Sequence, residues 1–296
     1  PYACLSIKMN GTSGMPFSLK EDLAALPGVE EVSAAIDLTD TYTITSDRIQ
    51  NSQMLADIWV KDNGNIPSVL MHNASKGTLN TTVCALPDDE LRRIAADAGV
   101  SDEEIETLLA GDSVLTLWRD CYYDPAADAY YQKNTQTEGS IPVEPVFAAG
   151  DKLSIQHQRY TGQDEAGNDV YRTYTAQLPI AGVVKSANNY TLLTTDRLIF
   201  SGTIFVSTAL YHKMFESAGS YHMEKEGYSS LNVKLAADNN FSLRRSIASI
   251  ATRRNGILSA DNYDLISQSY TEGTQSAFLV GILAVFGVLL GCALLV

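Results

Sequence analysis

The chain has 296 residues, of which 45% are hydrophobic and 19% are charged. This balance excludes an intrinsically disordered chain, and the length allows one large domain or two modest ones. The net charge of −14 argues against nucleic-acid binding, which requires a concentrated positive surface.

The first residues of the chain predict a strand, a helix and a second strand. Cys4–Met9 alternates apolar and polar residues, as a half-buried strand does. Ser18–Leu26 predicts a helix, because Ser18 and Glu21 have the spacing of a capping box. Val29–Thr45 returns to an alternating strand pattern. The opening of the chain therefore has a βαβ pattern.

The middle of the chain predicts two helices followed by strands. Pro87–Ala98 begins with proline and acidic residues, which favour a helix start, and Ser101–Leu109 begins with the capping box SDEE. The segments after it are rich in β-forming residues and are separated by turns such as GQDEAGND. The predicted strands are Val114–Trp118, Lys152–His157, Tyr171–Leu178, Ile180–Val184 and Thr203–Ser207.

A polar, tyrosine-rich segment, Tyr122–Gly139, interrupts these strands, and its polarity predicts a surface loop. Two interpretations of its four tyrosines stay open: a plain solvated loop, or a surface that binds a sugar or a peptide, since Tyr supplies contact area at low entropic cost. The four residues are Tyr122, Tyr123, Tyr130 and Tyr131.

A second βα pattern appears late in the chain. Ser230–Leu235 is an alternating strand, Phe241–Arg253 is an amphipathic helix, and Asn262–Ser267 predicts a short strand. Two such units cannot bury their apolar faces alone, so we expect them to share one sheet. The predicted fold class is α+β, with a discontinuous βαβ/βαβ ferredoxin-like, porter-type domain, an inserted β-rich subdomain and one terminal transmembrane helix.

These patterns predict three parts of the chain. Residues 1–60 and 228–272 form the discontinuous extracytoplasmic domain, residues 61–227 form the inserted subdomain of helices and strands, and residues 273–296 form the transmembrane helix. The absence of an initiator Met at Pro1 and of a flank after Val296 indicates a fragment of a longer protein.

A transmembrane helix is predicted because Ala277–Val296 contains no charged residue and has about the 20 residues needed to cross the hydrocarbon core. The alternative is a buried core helix, which is usually shorter and interrupted by polar residues. The segment Asp261–Glu272 carries acidic residues and neither Lys nor Arg, which predicts an extracytoplasmic position for most of the chain at a cell membrane. The residues assigned to the span are Ala277, Phe278, Leu279, Val280, Gly281, Ile282, Leu283, Val285, Phe286, Leu289, Leu290, Leu294 and Val296.

The chemical motifs of enzymes are missing from the sequence. The four histidines are scattered without an HExxH motif, and neither a zinc spacing of Cys and His nor a GxxxxGK[ST] phosphate loop occurs. The prediction is therefore a non-enzyme with no catalytic residue, cofactor or metal. Cys84 and Cys121 can pair if the chain folds outside the cytoplasm, or they can be buried or free thiols.

Five segments, taken in order beside the terminal apolar run, carry a resemblance to a known family. They are Leu26–Ser33 (LPGVEEVS), Ala149–Ile155 (AGDKLSI), Leu178–Val184 (LPIAGVV), Thr203–Leu210 (TIFVSTAL) and Leu231–Leu235 (LNVKL). In this order the chain resembles the FtsX/MacB-like family of ABC transporter permeases across nearly its whole length.

The resemblance implies an extracytoplasmic domain between the first and second membrane helices of a permease subunit. The implied partners are a cytoplasmic ABC ATPase, a second permease copy or pseudo-repeat, and the lipid bilayer. The resemblance also implies mechanotransmission, in which ATP-driven movement inside the cell is conveyed by helices to the exterior domain. The alternatives are a membrane-anchored sensor or adhesion ectodomain without an ATPase, and a membrane-tethered hydrolase.

Overall fold

The computed structural model describes residues 4–52, 55, 72–73, 77–118, 121–132, 137–185, 203–236, 241–261 and 263. These residues have a mixed α+β architecture that is rich in strands, which confirms the predicted class. The chain divides into two compact units, one drawn from both ends of the chain and one from its middle.

The strands and helices of the described residues are numbered in chain order. The strands are β1 (Leu5–Met9), β2 (Val29–Thr45), β3 (His72–Asn73), β4 (Thr78–Leu86), β5 (Val114–Trp118), β6 (Cys121–Asp124), β7 (Ala129–Gln132), β8 (Ile141–Val143), β9 (Lys152–Gln163), β10 (Asp169–Lys185), β11 (Ile204–Ser207), β12 (Ser230–Leu235) and β13 (Gly256–Asp261). The helices are α1 (Ser18–Ala24), α2 (Asp47–Gln50), α3 (Asp88–Asp97), α4 (Asp102–Leu109), α5 (Thr208–Ala218) and α6 (Phe241–Arg253).

Unit 1 consists of Pro1–Asn10, Phe17–Ser33 and Leu231–Val296. Its strands lie in the order β13-β1-β12-β2, and β1 pairs antiparallel with β13. One apolar stripe of each helix is buried, as the amphipathic pattern of α6 predicts. The buried apolar residues of these elements include Leu5, Ile7, Leu19, Leu23, Leu231, Val233, Leu235, Ile247 and Ala251.

The predicted capping box of the first helix is wrong. The residue at the N-cap of α1 is Phe17, whose φ of −57° and ψ of −34° are helical, and no side chain caps this end. Because a capping residue needs extended dihedrals, Ser18 lies one position too far inside the helix to serve. Its hydroxyl oxygen instead accepts a hydrogen bond from Arg254 Nη1 at 3.3 Å.

The closing strand of unit 1 lies earlier than the sequence predicts. β13 covers Gly256–Asp261, directly after α6, and Asn255 turns the chain with a φ of 61°. The sequence of β13 lacks strict alternation because the strand lies at the end of the sheet order, where both of its faces are partly exposed. Of the predicted strand Asn262–Ser267, only Tyr263 lies within the described residues.

Unit 2 consists of Gly11–Pro16 and Ala34–Ser230. Its strands follow the order β2-β9-β10-β5-β11-β4-β3, and β2 also pairs with β4. Because β2 pairs with β9 on one edge and with β4 on the other, β2, β9, β10, β5, β11 and β4 form a closed ring of strands. The ring encloses buried side chains from each of these strands, including Ile44, Leu79, Val114, Leu153, Ile180 and Ile204.

Two helices cover part of this ring from outside, as the sequence predicts. The Ser101 hydroxyl accepts from the Glu104 backbone N–H, and the Glu104 carboxylate accepts from the Ser101 backbone N–H, so the predicted capping box of α4 is confirmed. Apolar residues of α3 and α4 pack into one cluster with residues of β4, β5, β10 and β11. The helical members of the cluster are Leu91, Ile94, Ala95, Ile105 and Leu108.

Two strand predictions for unit 2 require correction. The tyrosine-rich segment is not a loop, because β6 pairs with β7 and β8 in a small antiparallel sheet in which tyrosines fill cross-strand positions. The predicted strands Tyr171–Leu178 and Ile180–Val184 are one strand, β10, which runs through Pro179. Pro179 lies where β10 changes partner from β9 to β5, so its missing N–H interrupts neither ladder.

The predicted transmembrane helix, 273–296, and its assigned residues lie outside the described residues. Among the helices that the structure does describe, none has the length and apolar composition needed to cross a membrane. The predicted boundaries at residues 60 and 228, and the pairing of Cys84 with Cys121, stay predictions.

Candidate functional site

Unit 2 has a long exposed feature, the outer half of the β9-β10 hairpin, residues 158–173, which we call the hairpin arm. The last buried cross-strand pair before it is His157 with Tyr174. Beyond this pair every residue of the arm is half-buried or exposed. The arm therefore cannot be held by core burial, and its shape depends on cross-strand pairs and on specific anchors.

Aromatic rings pack at the base of the arm. The His157 side chain is only 2% exposed, and its ring stacks on Tyr42 with centroids 4.5 Å apart. The ring of Tyr221 lies nearly perpendicular to that of His157, with centroids 6.0 Å apart. Burial raises the pKa of Tyr174, the cross-strand partner of His157. The rings of Tyr42, His157 and Tyr221 thus pack together where the arm begins.

Tyr221 anchors the arm through its hydroxyl group. The backbone N–H of Tyr160 donates to Tyr221 Oη at 2.7 Å, and Tyr221 Oη donates to the backbone carbonyl of Gln158 at 3.1 Å. The Tyr221 side chain thus satisfies two backbone groups of β9, the N–H of Tyr160 and the carbonyl of Gln158. The contact takes over the role of a neighbouring strand, since β9 pairs with β2 only at Ser154, Ile155 and Gln156.

Two arginines lie directly opposite each other on the arm, Arg159 on β9 and Arg172 on β10. Like charges in such a pair repel, so each guanidinium needs another partner. Arg159 lies over the ring of Tyr221, 5.9 Å from its centroid, and Arg172 Nη2 donates to the carbonyl of Glu216 at 3.3 Å. Both partners hold positive charge near the base of the arm.

The other face of the arm carries an exposed aromatic pair. Tyr160 and Tyr171 are cross-strand neighbours whose rings meet edge to face at 5.7 Å. They are 45% and 50% exposed, and Val170 beside them is also exposed. Tyr and Arg are enriched in protein interfaces, so the arm has the composition of a contact surface.

The turn at the tip of the arm is held by Asp164. Its carboxylate accepts from the side chain and backbone N–H of Asn168 and from the backbone N–H of Ala166. The Asn168 side chain is the largest cause of the lowered pKa of Asp164, and the backbone donors add to it. The sequence predicted this turn, but it did not predict how far the two strands extend beside it.

The predicted tyrosine surface is divided between two faces of the β6-β7-β8 sheet. Tyr122 pairs with Tyr131 on one face, and Tyr123 pairs with Tyr130 on the other, so the four side chains do not form one surface. The rings of Tyr123 and Tyr130 lie 5.1 Å apart, beside the exposed Ile141. This smaller patch is a second candidate contact surface.

Asp124 fixes the turn between β6 and β7. Its carboxylate accepts from the Thr137 hydroxyl and from the backbone N–H groups of Ala127 and Ala126. The Thr137 hydrogen bond is the largest cause of the lowered pKa of Asp124, followed by the two backbone donors. The polar sequence suggested a solvated loop. The segment instead contains a turn that is held by the buried, ionised carboxylate of Asp124.

Within the described ranges, no cluster of His, Cys, Asp and Glu has a metal-binding arrangement. The residues that sequence reasoning missed are Tyr160, Tyr171 and Tyr221. The alternation of β9 and β10 would have placed the first two on one face, whereas Tyr221 lies in an irregular segment and has no local signal.

The described residues thus define a strand-rich α+β protein that exposes aromatic and basic side chains on two candidate contact surfaces. No protein-family profile matches the chain, and no curated protein matches it. Among solved structures, the chain is similar to the periplasmic region of MacB from Actinobacillus actinomycetemcomitans, with 8% identity, a TM-score of 0.40, and coverage of 91% of this chain and 92% of that chain. It is also similar to the extracellular domain of the noncanonic ABC-type transporter YknZ from Gram-positive bacteria, with 9% identity, a TM-score of 0.38, and coverage of 85% and 92%.

Proposed function

We propose that this chain is the extracytoplasmic domain of an ABC transporter permease subunit, which works with a separate cytoplasmic ATPase. The five ordered segments that resemble the FtsX/MacB-like family support this proposal. The uncharged run Ala277–Val296, next to an acidic flank, supports an anchor in the membrane with the described residues of unit 1 outside the cytoplasm.

The observation that carries the proposal is the topology of unit 1. The unit is assembled from segments that precede and follow unit 2 in the chain. Numbered by their order within the unit, its strands β1, β2, β12 and β13 lie in the order 4-1-3-2, with α1 and α6 in the two βαβ halves. We infer from this order a ferredoxin-like, split βαβ domain interrupted by unit 2.

The proposed mechanism is mechanotransmission, and it requires a stiff connection between the domain and its anchor. Arg244 Nη1 on α6 donates to Asp261 Oδ2 at the end of β13 at 2.8 Å, and both side chains are mostly buried. The backbone N–H of Leu235 on β12 donates to Tyr263 Oη at 2.7 Å. These contacts hold the last described residues of unit 1, so a displacement of the segment that follows would move the unit as a rigid body.

The hairpin arm is, in this proposal, the part of unit 2 that contacts an exterior protein. Its exposed tyrosines and arginines are the residue types that dominate binding energy in protein interfaces. The function that the movement performs is export, extraction from the membrane, or signalling to the cell envelope. The proposed permease has no catalytic residue of its own and acts together with a second copy or pseudo-repeat in the bilayer.

A membrane-anchored sensor or adhesion ectodomain is the second candidate function. The arm also supports it, because an aromatic surface on a projecting hairpin would serve a receptor equally well. The two functions differ in their partners, since only the permease requires an ATPase.

The experiment is co-purification of the full-length protein from its native membrane. A nucleotide-binding ATPase subunit in a stoichiometric amount is the result expected for a permease. A protein that is recovered without an ATPase, in a detergent that preserves a known ABC transporter processed in parallel, would reject the permease and favour the sensor ectodomain.

A further inference from the structure

Two arginines lie on the face of the hairpin arm that continues the buried side of its strands, which we call the inner face. Arg159 is two residues beyond the buried His157 on β9, and Arg172 is two residues before the buried Tyr174 on β10. Side chains two residues apart in a strand share a face. Since Arg159 and Arg172 are direct cross-strand partners, both side chains project from this one face, with Cβ atoms about 4.5–5.5 Å apart.

Both guanidinium groups lie at the carboxyl end of α5. Arg172 Nη2 donates to the carbonyl of Glu216 at 3.3 Å. A β-carbon on Gly219, which caps α5, would lie only 2.8 Å from Arg159 Nη1, so this guanidinium packs directly on the glycine backbone. The last turn of α5 contains no basic residue of its own. The two arginines therefore take the place that the end of a helix favours for a cation.

The positive charge of this pair is only partly neutralised. The carboxyl end of a helix is equivalent to about half a negative charge, whereas the two arginines carry two full positive charges. The Tyr221 ring adds only a cation–π contact to Arg159. Among the described residues, no carboxylate lies within ion-pair distance of either guanidinium, although Arg48, Arg92 and Arg93 of the same unit each have one. The inner face thus keeps an excess of positive charge.

Two neighbouring guanidinium groups are suited to bind a carboxylate. Each presents its N–H donors in a planar fork that matches the two oxygens of that group. Arg172 uses one donor for the Glu216 carbonyl, and Arg159 forms no hydrogen bond through its side chain within the part of the chain that the structure describes. The remaining donors of both side chains can bind one carboxylate between them. Its negative charge would also offset the repulsion of the cross-strand pair.

The surroundings of the pair favour a side chain of another protein over a small free anion. Val170, two residues before Arg172 on the same face, is 41% exposed, and Tyr221 is 50% exposed. A free anion leaves these surfaces in water, and an exposed ion pair alone contributes little affinity. A protein segment that carries the carboxylate also covers Val170 and Tyr221 and gains from their burial. The inner face therefore fits an acidic segment that has an apolar neighbour.

We propose that Arg159 and Arg172 form a binding site for an aspartate or glutamate side chain of an exterior protein. Apolar residues beside that side chain cover Val170 and Tyr221. The site rests on the proposed function in one respect, because it gives the chemistry of the partner that the arm contacts. The acidic residues of the arm lie within its turn, residues 164–169, so the segment binds at the base of the arm. Recognition depends on the planar geometry of both guanidinium groups, which lysine does not reproduce.

The test is binding of a short synthetic peptide of alternating glutamate and leucine to the purified full-length protein, measured as protection of residues 158–173 from hydrogen exchange. The same peptide with glutamine in place of glutamate, and inorganic phosphate alone, are the comparison probes. Arg159→Gln and Arg172→Gln each remove one guanidinium group. Arg92→Gln is the matched control, because Arg92 is an exposed arginine outside the arm that already pairs with Glu106.

The expected result is protection by the glutamate peptide in the unaltered chain and in Arg92→Gln, with an affinity about tenfold lower in each arm variant, since a charge-assisted contact is lost. Arg172→Lys keeps the charge and should bind with intermediate affinity, so the comparison stands even if glutamine loosens the arm.

Three outcomes would overturn the site. The first is equal affinity in all variants, or no binding to the unaltered chain. The second is equal protection by the glutamine peptide, which would assign the contact to apolar surface alone. The third is equal protection by inorganic phosphate, which would show that a free anion is sufficient and that no protein segment is needed.

The peptide measurement requires no ATPase, so the site and the permease can fail separately. An ATPase recovered without peptide binding rejects only the site. Peptide binding without an ATPase rejects only the permease, and the site then belongs to a sensor ectodomain.

Discussion

The phenol oxygen of Tyr221 lies 2.7 Å from the backbone nitrogen of Tyr160, although the two residues are 61 positions apart in the chain. The same oxygen donates to the carbonyl of Gln158. A side chain from an irregular segment thus replaces the strand that β9 lacks at this point. This group therefore anchors the first residues of the exposed arm, in addition to their pairing with β10.

Replacing Tyr221 with Phe removes both hydrogen bonds and keeps the ring against His157. We expect a loss of about 1 kcal/mol in the free energy of unfolding, seen as a decrease of about 2–4 °C in Tm. Tyr171→Phe is the matched control, because the Tyr171 side chain is half exposed and contributes its ring. Equal effects of the two substitutions would show that the Tyr221 hydroxyl does not anchor the arm.

The β6-β7 turn should weaken in acid. The folded-state pKa of Asp124 is lowered, chiefly by the Thr137 hydrogen bond. The contribution of the ionised carboxylate is fully present above the ordinary carboxyl pKa of about 3.9, and it is lost as the pH falls through the lower folded-state pKa. Hydrogen exchange of the peptide 121–132, corrected for intrinsic rates, should show greater opening at low pH.

Asp124→Asn tests the cause of this acid sensitivity. The variant cannot ionise, so its turn should be less protected at neutral pH and its opening should no longer change with pH. Glu138→Gln removes an exposed carboxylate beyond the same turn and should keep the original profile. A pH dependence that persists in Asp124→Asn would assign the sensitivity to another group.

Ser101 and Ser18 have similar sequence contexts, but replacing them should change the free energy of unfolding by different amounts. Ser101→Ala removes the side-chain acceptor of a formed capping box and should cost about 1 kcal/mol of unfolding free energy. Ser18→Ala should cost less than about 0.5 kcal/mol, because Ser18 is inside its helix and caps nothing. Denaturant unfolding of both variants measures the difference, and a reversed order would contradict the assigned caps.

Gly227 occupies a backbone crossing that leaves no room for a side chain. A β-carbon there would lie 2.3 Å from the Met15 carbonyl oxygen, so Gly227→Ala must displace one of the two segments. We expect a loss of about 1–3 kcal/mol, measured by thermal unfolding. Gly99→Ala controls for backbone strain alone, because its φ is +78° and its β-carbon would meet open space. Its cost should be about 1–2 kcal/mol, and Gly227→Ala should exceed it.

Flexible insertion beside Glu272 tests mechanotransmission. If a stiff connection conveys movement from the membrane to unit 1, several glycines inserted there should abolish the transport phenotype of the full protein while its ATPase activity continues. The same insertion after Gly167, in the exposed turn of the arm, should leave the coupling intact. Unchanged transport with the insertion at Glu272 would contradict the mechanism.

Local patterns predicted most elements of the two βα units. The bounds of α6 and β12 match the prediction because an amphipathic period and a strict alternation both report burial of one face. The box at Ser18 failed because the N-cap is one residue earlier, at Phe17, and only the helical dihedrals of Phe17 reveal this start. The prediction placed the closing strand too late in the chain, because β13 is exposed on both faces and its sequence has no alternation to recognise.

The loop prediction for the tyrosine-rich segment was wrong for a different reason. Its polarity indicated a loop, but cross-strand pairs of Tyr122 with Tyr131 and Tyr123 with Tyr130 stabilise a sheet. The Asp124 carboxylate, which fixes the β6-β7 turn, also accepts a hydrogen bond from Thr137, 13 residues away. A reading of composition in short windows does not detect such a contact.

The sequence by itself determined the α+β class, the two βα patterns, the capped helix at Ser101 and the uncharged run near the end, because each is recorded in residues that are close together in the chain. The tertiary structure decided which strands close into a ring, that Tyr221 supports the arm, and that β13 lies beside β1 at the end of the strand order of the described residues. These features depend on hydrogen bonds and contacts between residues far apart in sequence, whose register is set only when the whole chain packs.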